Sequence, residues 1–195
     1  MKKAYHHGNL RETLLEQARI ELEERGIEVL SLRRIAQRAG VSHTAFAHHF
    51  GDARGLLTAL TAYGYERLGQ NLGRARAEAV PHDQDRLVAS GLAYVEFALG
   101  HPQMFTLMFA SKYPNFSDPA LDKASMAAFS SFIEDVRRGR KASKPDEESV
   151  DVPAMASWAR IHGLALLLLT GRMRSVLALD PDRRREAIID IITVG

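Results

Sequence analysis

The sequence predicts an all-α protein. Three observations carry that expectation. Apolar residues recur at three- and four-residue spacing through almost every segment. The breaks between segments fall at glycine, proline and good capping residues. Valine and isoleucine are scattered rather than alternating, so no strand pattern competes. The 195 residues are 46% hydrophobic and 26% charged, a soluble globular composition that excludes disordered and collagen-like classes.

The first helix begins at Leu10 behind a possible N-cap at Asn9. It carries Leu10, Leu14, Ala18 and Leu22, with Leu15 widening the stripe, and stops at Gly26. A second begins at Ser31, places Leu32, Ile35, Ala36 and Ala39 on one face, and stops at Gly40. Ser42 then caps a third short helix that reaches about His49. A fourth starts near Asp52 and holds Leu56, Leu57, Leu60, Tyr63 and Leu68. Pro81, His82 and Asp83 mark a break. The helix after it carries Leu87, Gly91, Tyr94, Val95 and Ala98 and ends at Gly100. A short apolar segment, 104–109, follows His101 and Pro102, and 112–119 reads as a loop. The next helix, from about Pro119, presents Leu121, Met126, Phe129, Phe132, Ile133 and Val136. The charged stretch 137–150, broken by Pro145, reads as a mobile loop. Pro153 stands where a first-turn proline belongs, and the helix behind it is apolar nearly all round over 161–169. Asp180 and Pro181 start a last helix with Ile188, Ile189, Ile191 and Ile192.

The formal charge is only +2, from 26 basic and 24 acidic residues. That argues against a sequence-blind packaging protein, so any basic patch must be local. There is no cysteine, which removes disulfides, thiol nucleophiles and cysteine–zinc sites. The first residues lack the apolar stretch of a signal peptide. The longest apolar run, 164–169, falls short of the ~18 residues of a membrane span. The expectation is a cytoplasmic protein with no membrane partner.

The informative region is 31–50. A helix of about nine residues, a turn at Gly40 and Val41, and a second short helix give helix-turn-helix spacing. Ile35, Ala36, Val41 and Phe46 can lock the pair, and the small Ala36 and Ala39 allow close approach. That leaves His43, Thr44, Ala47 and His48 on the outer face, where small and polar side chains can enter a major groove. From Ser31 to Arg54, four arginines (Arg33, Arg34, Arg38, Arg54) against one aspartate (Asp52) give a local charge of +3. Lys2, Lys3 and Arg11 add basic charge at the N-terminus. By spacing alone, a glycine-broken helix pair is equally a plain structural feature of a helical protein.

The residues go further. Tyr5-His6-His7-Gly8-Asn9-Leu10-Arg11, Leu30-Ser31-Leu32-Arg33-Arg34-Ile35-Ala36, Ala39-Gly40-Val41-Ser42-His43 and His49-Phe50 occur in an order and spacing that resembles the N-terminal domain of TetR/AcrR-type transcriptional repressors. The match covers about 5–65. Trp158-Ala159-Arg160-Ile161-His162-Gly163 is similar to the tryptophan–histidine–glycine signature of one ligand-domain subgroup of that family. His101-Pro102, followed by Met104-Phe105 and Met108-Phe109, is similar to the same subgroup.

The resemblance implies a two-domain, all-helical homodimer: an N-terminal three-helix bundle, 1–52, that binds double-stranded operator DNA, and a larger helical domain, 53–195, that binds a small-molecule effector and forms the dimer. It implies DNA contacts from Ser31, Arg33, Ser42, His43, Thr44, Ala47, His48 and His49. Tyr94, Met104, Phe105, Met108, Met126, Phe129, Trp158 and His162 are the candidate ligand-binding residues. The chain departs from the family at Ala47, usually a tyrosine, and at Ala53, usually a phosphate-binding lysine. Arg54 or the N-terminal arm is the available substitute.

Other readings of the same residues are weaker. His48 and His49 point about 100° apart on a helix and rarely share one ion, so no metal site is expected. His162 and Trp158 lie one turn apart and can touch, as a sensing pair or as a structural histidine packed on an indole. The methionine and phenylalanine cluster suits either plain core or a pocket of loose specificity. No glycine-rich phosphate loop, His-Glu-x-x-His motif or paired carboxylates on an apolar helix supports an all-helical enzyme. No catalytic residue and no cofactor is expected. The remaining alternative is a DNA-binding protein that answers to no effector.

Overall fold

The computed structural model describes residues 10–79, 83–139 and 150–194. Among them every regular element is helical. In chain order these are α1 (Leu10–Arg25), a 3₁₀ turn (Ile27–Val29), α2 (Leu32–Arg38), α3 (His43–Phe50), α4 (Ala53–Glu78), α5 (Asp83–Gly100), α6 (Pro102–Phe109), α7 (Pro119–Gly139), α8 (Val152–Leu169), α9 (Arg174–Leu177) and α10 (Pro181–Thr193). The all-α expectation holds. The 3₁₀ turn and α9 were not legible in the apolar pattern, because each is a single turn, too short to show a period. Residues 137–139 continue α7 rather than opening a loop. Asn9, Pro81, His82 and Pro145 lie outside the described residues.

Two compact units are distinguished by their internal contacts. The first holds 10–65 and 103–124 of the described residues, the second 66–102 and 125–194. The divisions fall inside α4, at the first residue of α6 and inside α7.

The first unit is built on the apolar stripe of α1. Leu14, Ala18 and Leu22 are wholly buried, together with Ile35 of α2, Phe46 of α3, Leu56 and Leu60 of α4, and Phe105 of α6. Polar caps set the helix starts. The Ser31 hydroxyl accepts from the Arg34 amide at 3.4 Å and the Ser42 hydroxyl from the Ala45 amide at 3.2 Å. The Glu23 carboxylate reaches from α1 to accept the amides of Gln103 and Met104 at the start of α6, at 3.2 and 3.0 Å. Gly40 ends α2 with φ +69°, a conformation other residues adopt at a cost. Its amide bonds to the Gln37 carbonyl, and the Val41 amide bonds to the Ala36 carbonyl. This paired closure reverses the chain within two residues.

In the second unit α5 packs on α8 and on α10. Gly91 makes the approach possible: a Cβ there would lie 3.0 Å from Ile161 Cδ1 and 3.1 Å from Ile192 Cγ2. Asp151 and Asp180 cap α8 and α10, accepting from the amides of Ala154 and Arg183 at 3.0 and 3.1 Å, each ahead of a first-turn proline. Helix α8 is 18 residues long and, by length and composition alone, apolar enough to cross a membrane. The unbroken run 164–169 understates it. Yet Ile161, Leu164, Ala165 and Leu168 are buried inside the protein, and Arg160 and His162 interrupt the stretch, as suits a core helix.

Candidate functional site

The helix pair is fixed from inside by packing and from the side by charge. Phe46 and Phe50 lie one turn apart on the inner face of α3, ring centroids 5.4 Å apart, and both are buried. Ile35 and Ala36 are buried beneath α2. Beside them sits Glu21 of α1, only 1% exposed, a burial that an unpaired carboxylate would not tolerate. Arg34 Nε donates to one of its oxygens at 2.5 Å and Arg38 donates to the other at 3.3 Å. Arg38 also grips both oxygens of Glu24 at 2.9 and 3.0 Å, and Arg34 donates to the Val29 carbonyl.

This revises the expected basic patch. Arg34 and Arg38 are paired with acids of α1, so among the described residues Arg33, which is exposed, is the arginine of α2 that enters no ion pair. The acids responsible lie 13 to 17 residues upstream on α1, where nothing in the local pattern marks them as partners.

On the outer face of α3, Thr44 and His48 are exposed one turn apart, Ala47 is half-buried beside them, and Ser42 is exposed at the helix start. His49 is half-buried, its ring 6.3 Å from Phe50 and 5.5 Å from His48. Ser31 is half-buried and acts as the α2 cap. The side chain of His43 lies outside the described residues.

The candidate ligand residues separate into two groups. Four meet in the second unit. Tyr94 of α5 and His162 of α8 lie 2.8 Å apart, phenol oxygen to Nδ1. Trp158 stacks on His162 at 5.4 Å and 27°, and Phe129 of α7 meets the indole edge-on at 5.5 Å. Burial pushes the His162 imidazole below its ordinary value, because the charged ring would lose water there. Met104, Phe105 and Met108 belong to the first unit, buried against α4 near Gly64. Met126 is 56% exposed and so lines no interior. Helical spacing had put it with Phe129 and Phe132, but the inner face of α7 runs through Leu121, Ala124, Ala128 and Phe132 instead.

Sequence reading missed a second polar cluster in this unit. Asp135 of α7, 1% exposed, accepts from the Ser90 hydroxyl of α5 at 2.6 Å and lies 3.3 Å from Arg76 Nε of α4. Burial raises its carboxyl above the ordinary range, while Ser90 and Arg76 oppose the shift.

Residues 14–60 match the family of bacterial regulatory proteins named for tetR, and 87–192 match the tetracyclin repressor-like C-terminal domain. The chain belongs to the TetR family. The members of that family are helix-turn-helix transcriptional regulators, not enzymes. A solved protein of unknown function from Rhodococcus sp. RHA1 is 35% identical, with a TM-score of 0.78, over 98% of this chain and 97% of that one. An HTH-type transcriptional regulator of Mycobacterium tuberculosis is 29% identical over 115 residues, 58% of this chain and 49% of that protein. The chain thus spans about half the length of the curated relatives it matches first. The TetR-like regulator LfrR of Mycobacterium smegmatis, solved with proflavine, shares the fold at 18% identity and a TM-score of 0.62, over 96% of each chain.

Proposed function

We propose that this TetR-family regulator is a cytoplasmic repressor that binds a palindromic operator as a homodimer and releases it on taking up a small, largely apolar effector. The observation that carries the DNA reading is the exposed Thr44–Ala47–His48 face of α3, held outward by the buried Phe46 and Phe50. Two copies of that helix enter successive major grooves about one DNA turn apart. Ser31, Arg33, Ser42, His43 and His49 flank it as backbone and groove contacts, and residues 1–52 serve as the DNA-binding domain.

Residues 53–195 carry the effector and dimer functions in this reading. Tyr94, Phe129, Trp158 and His162 form the effector site, with the imidazole and phenol as polar handles on an aromatic surface. Trp158, His162 and Gly163 support a reading of the domain as one of the tryptophan–histidine–glycine subgroup. The proflavine complex of LfrR supports a planar aromatic ligand class. Leu166 and Leu167, 36% and 44% exposed on the outer side of α8, supply the dimer face. Ile188 and Ile192 of α10 are buried within the protomer, at 3% and 1% exposure, and take no part in that face. The effector acts by binding better to the conformation whose recognition helices are wrongly spaced.

A gel-shift assay with DNA flanking the gene tests the reading. A discrete complex that survives non-specific competitor and is released by an aromatic compound is expected. Smearing without sequence preference, or no shift at all, would count against it.

A further inference from the structure

The buried ion pair of the second unit is incomplete on both sides. Ser90 of α5 donates to Asp135 Oδ2 at 2.6 Å, which fixes the plane of the carboxyl group. Arg76 Nη2 of α4 donates to the Ser131 hydroxyl of α7 at 2.5 Å, which fixes the guanidinium. The facing atoms, Arg76 Nε and Asp135 Oδ1, stand 3.3 Å apart, near enough to attract. They are not aligned for a hydrogen bond, and among the described residues neither atom has a hydrogen-bond partner. Buried polar atoms are almost always satisfied, so an adjacent donor and acceptor that both lack a partner call for an explanation.

The pair borders the aromatic cluster. Ser90 and Tyr94 lie one turn apart on the buried face of α5, and Phe132 and Asp135 one turn apart on that of α7. The Tyr94 and Phe132 rings are 6.0 Å apart, and Tyr94 in turn meets His162. An aromatic surface thus leads to the pair. The Arg76 side chain is 28% exposed, which connects the pair to solvent. Charge narrows what it can receive. A cation would be repelled by Arg76, and Arg86 and Arg138 act on the same carboxylate from farther off. An anion would be repelled by Asp135 Oδ1. A neutral group with an N–H beside a C=O meets neither objection, since the N–H donates to Oδ1 and the C=O accepts from Nε.

We infer that Arg76 and Asp135 form the polar end of the effector site and recognise a neutral planar group that carries a hydrogen-bond donor beside an acceptor, as an aromatic lactam does. The inference rests on the effector reading of the second unit given above. Ser90 and Ser131 hold the two ions, so donor and acceptor are oriented before the ligand arrives. A lactam seated against the Tyr94 and Phe132 rings completes one bond on each ion. An analogue whose N–H is blocked leaves Oδ1 buried and unpaired, and that difference is the source of specificity.

The test titrates three probes into the full chain by calorimetry: carbostyril, a bicyclic aromatic lactam; N-methylcarbostyril, in which the donor is blocked; and naphthalene, which has neither donor nor acceptor. The wild type is expected to bind carbostyril about tenfold or more tightly than N-methylcarbostyril. Asp135→Asn, which sets an amide where the carboxylate stood, and Arg76→Gln should each bring that ratio close to one. Arg185→Gln, which removes an exposed charge from α10, should keep it. Thermal unfolding is followed for each variant. If Asp135→Asn does not fold, the partly exposed Arg76→Gln decides. Equal binding of all three probes by the wild type would leave the aromatic site standing and overturn the inference. So would a tenfold preference that neither variant changes, because the N–H would then be read elsewhere. If none of the three binds, the effector reading itself falls and the inference falls with it.

Discussion

Two titratable groups held away from water, one in each compact unit, are handled in opposite ways. Glu21 in the first is held by ion pairs. Arginines on the next helix meet both of its oxygens, and the pairing fixes α2 on α1. His162 in the second is half-buried, hydrogen-bonded to a phenol and stacked on an indole, and its burial disfavours the charged form. A charge-paired joint tolerates little change of angle, as suits a bundle that must present one helix in one orientation. An aromatic cluster is held by contacts that are individually weaker and less directional, as suits a surface proposed to receive molecules of varied shape.

The sharpest way to break this contrast is through the pin beneath the recognition helix. Phe46 is 1% exposed, and Phe46→Ala is expected to cost about 3–5 kcal/mol of stability, read by urea unfolding, and to remove DNA binding. A loss below ~1 kcal/mol would mean that the joint does not depend on this ring. On the other unit, Leu167→Asp should weaken dimer association by about 2–3 kcal/mol, roughly 100-fold, in sedimentation, because it sets a charge in an apolar interface. A wild-type protein that is monomeric at micromolar concentration would remove the dimer reading itself.

The two regions were also unequally legible. The helix-turn-helix bundle uses contacts that lie close along the chain: caps three residues from their amides, a glycine closing α2 onto α3, and apolar stripes within single helices. Such patterns repeat in any sequence that forms them, so Gly40, Ser31, Ser42 and Phe46 were found in their structural places. What escaped was the pairing of Glu21 with Arg34 and Arg38, because charge on an amphipathic helix normally faces water. In the second unit the decisive neighbours are far apart: Tyr94 meets His162 across 68 residues, and Ser90 meets Asp135 across 45. Only the one-turn relation of Trp158 to His162 was readable. Spacing on α7 gave no means to separate the exposed Met126 from the half-buried Phe129 that touches the indole.

Two smaller substitutions compare the polar contacts directly. Glu21→Ala removes a shared partner of two guanidiniums, but Arg38 keeps Glu24, Arg34 keeps the Val29 carbonyl, and the two are 35% and 41% exposed and can turn to water. The expected cost is about 2 kcal/mol rather than the 3–5 kcal/mol of a fully buried pair. Tyr94→Phe removes one neutral hydrogen bond and should cost about 1 kcal/mol. If the two costs prove equal, the charge pairing adds nothing over an ordinary polar contact, and the contrast between the units fails.

The finest test is pH. Burial lowers the His162 imidazole below the ordinary histidine value of about 6.5. As pH falls through the unfolded-state value, the unfolded chain takes up a proton that the folded protein still refuses. In the interval between the two values the unfolded state holds more protons, so stability rises with pH there. The contribution is complete above about 6.5 and is lost as pH drops toward the lowered folded-state value. Other groups titrate over the same range, so the informative quantity is the difference between wild type and His162→Gln. The urea midpoint of the wild type should fall more steeply from pH 7.5 to pH 5.5 than that of the variant, with the two slopes agreeing above pH 7. Tyr94→Phe separates burial from the hydrogen bond. It removes the phenol but leaves the ring beneath Trp158, so the wild-type slope should persist in that variant if desolvation is the cause. Parallel profiles for wild type and His162→Gln would show that the imidazole reaches water as freely in the folded protein as in the unfolded chain.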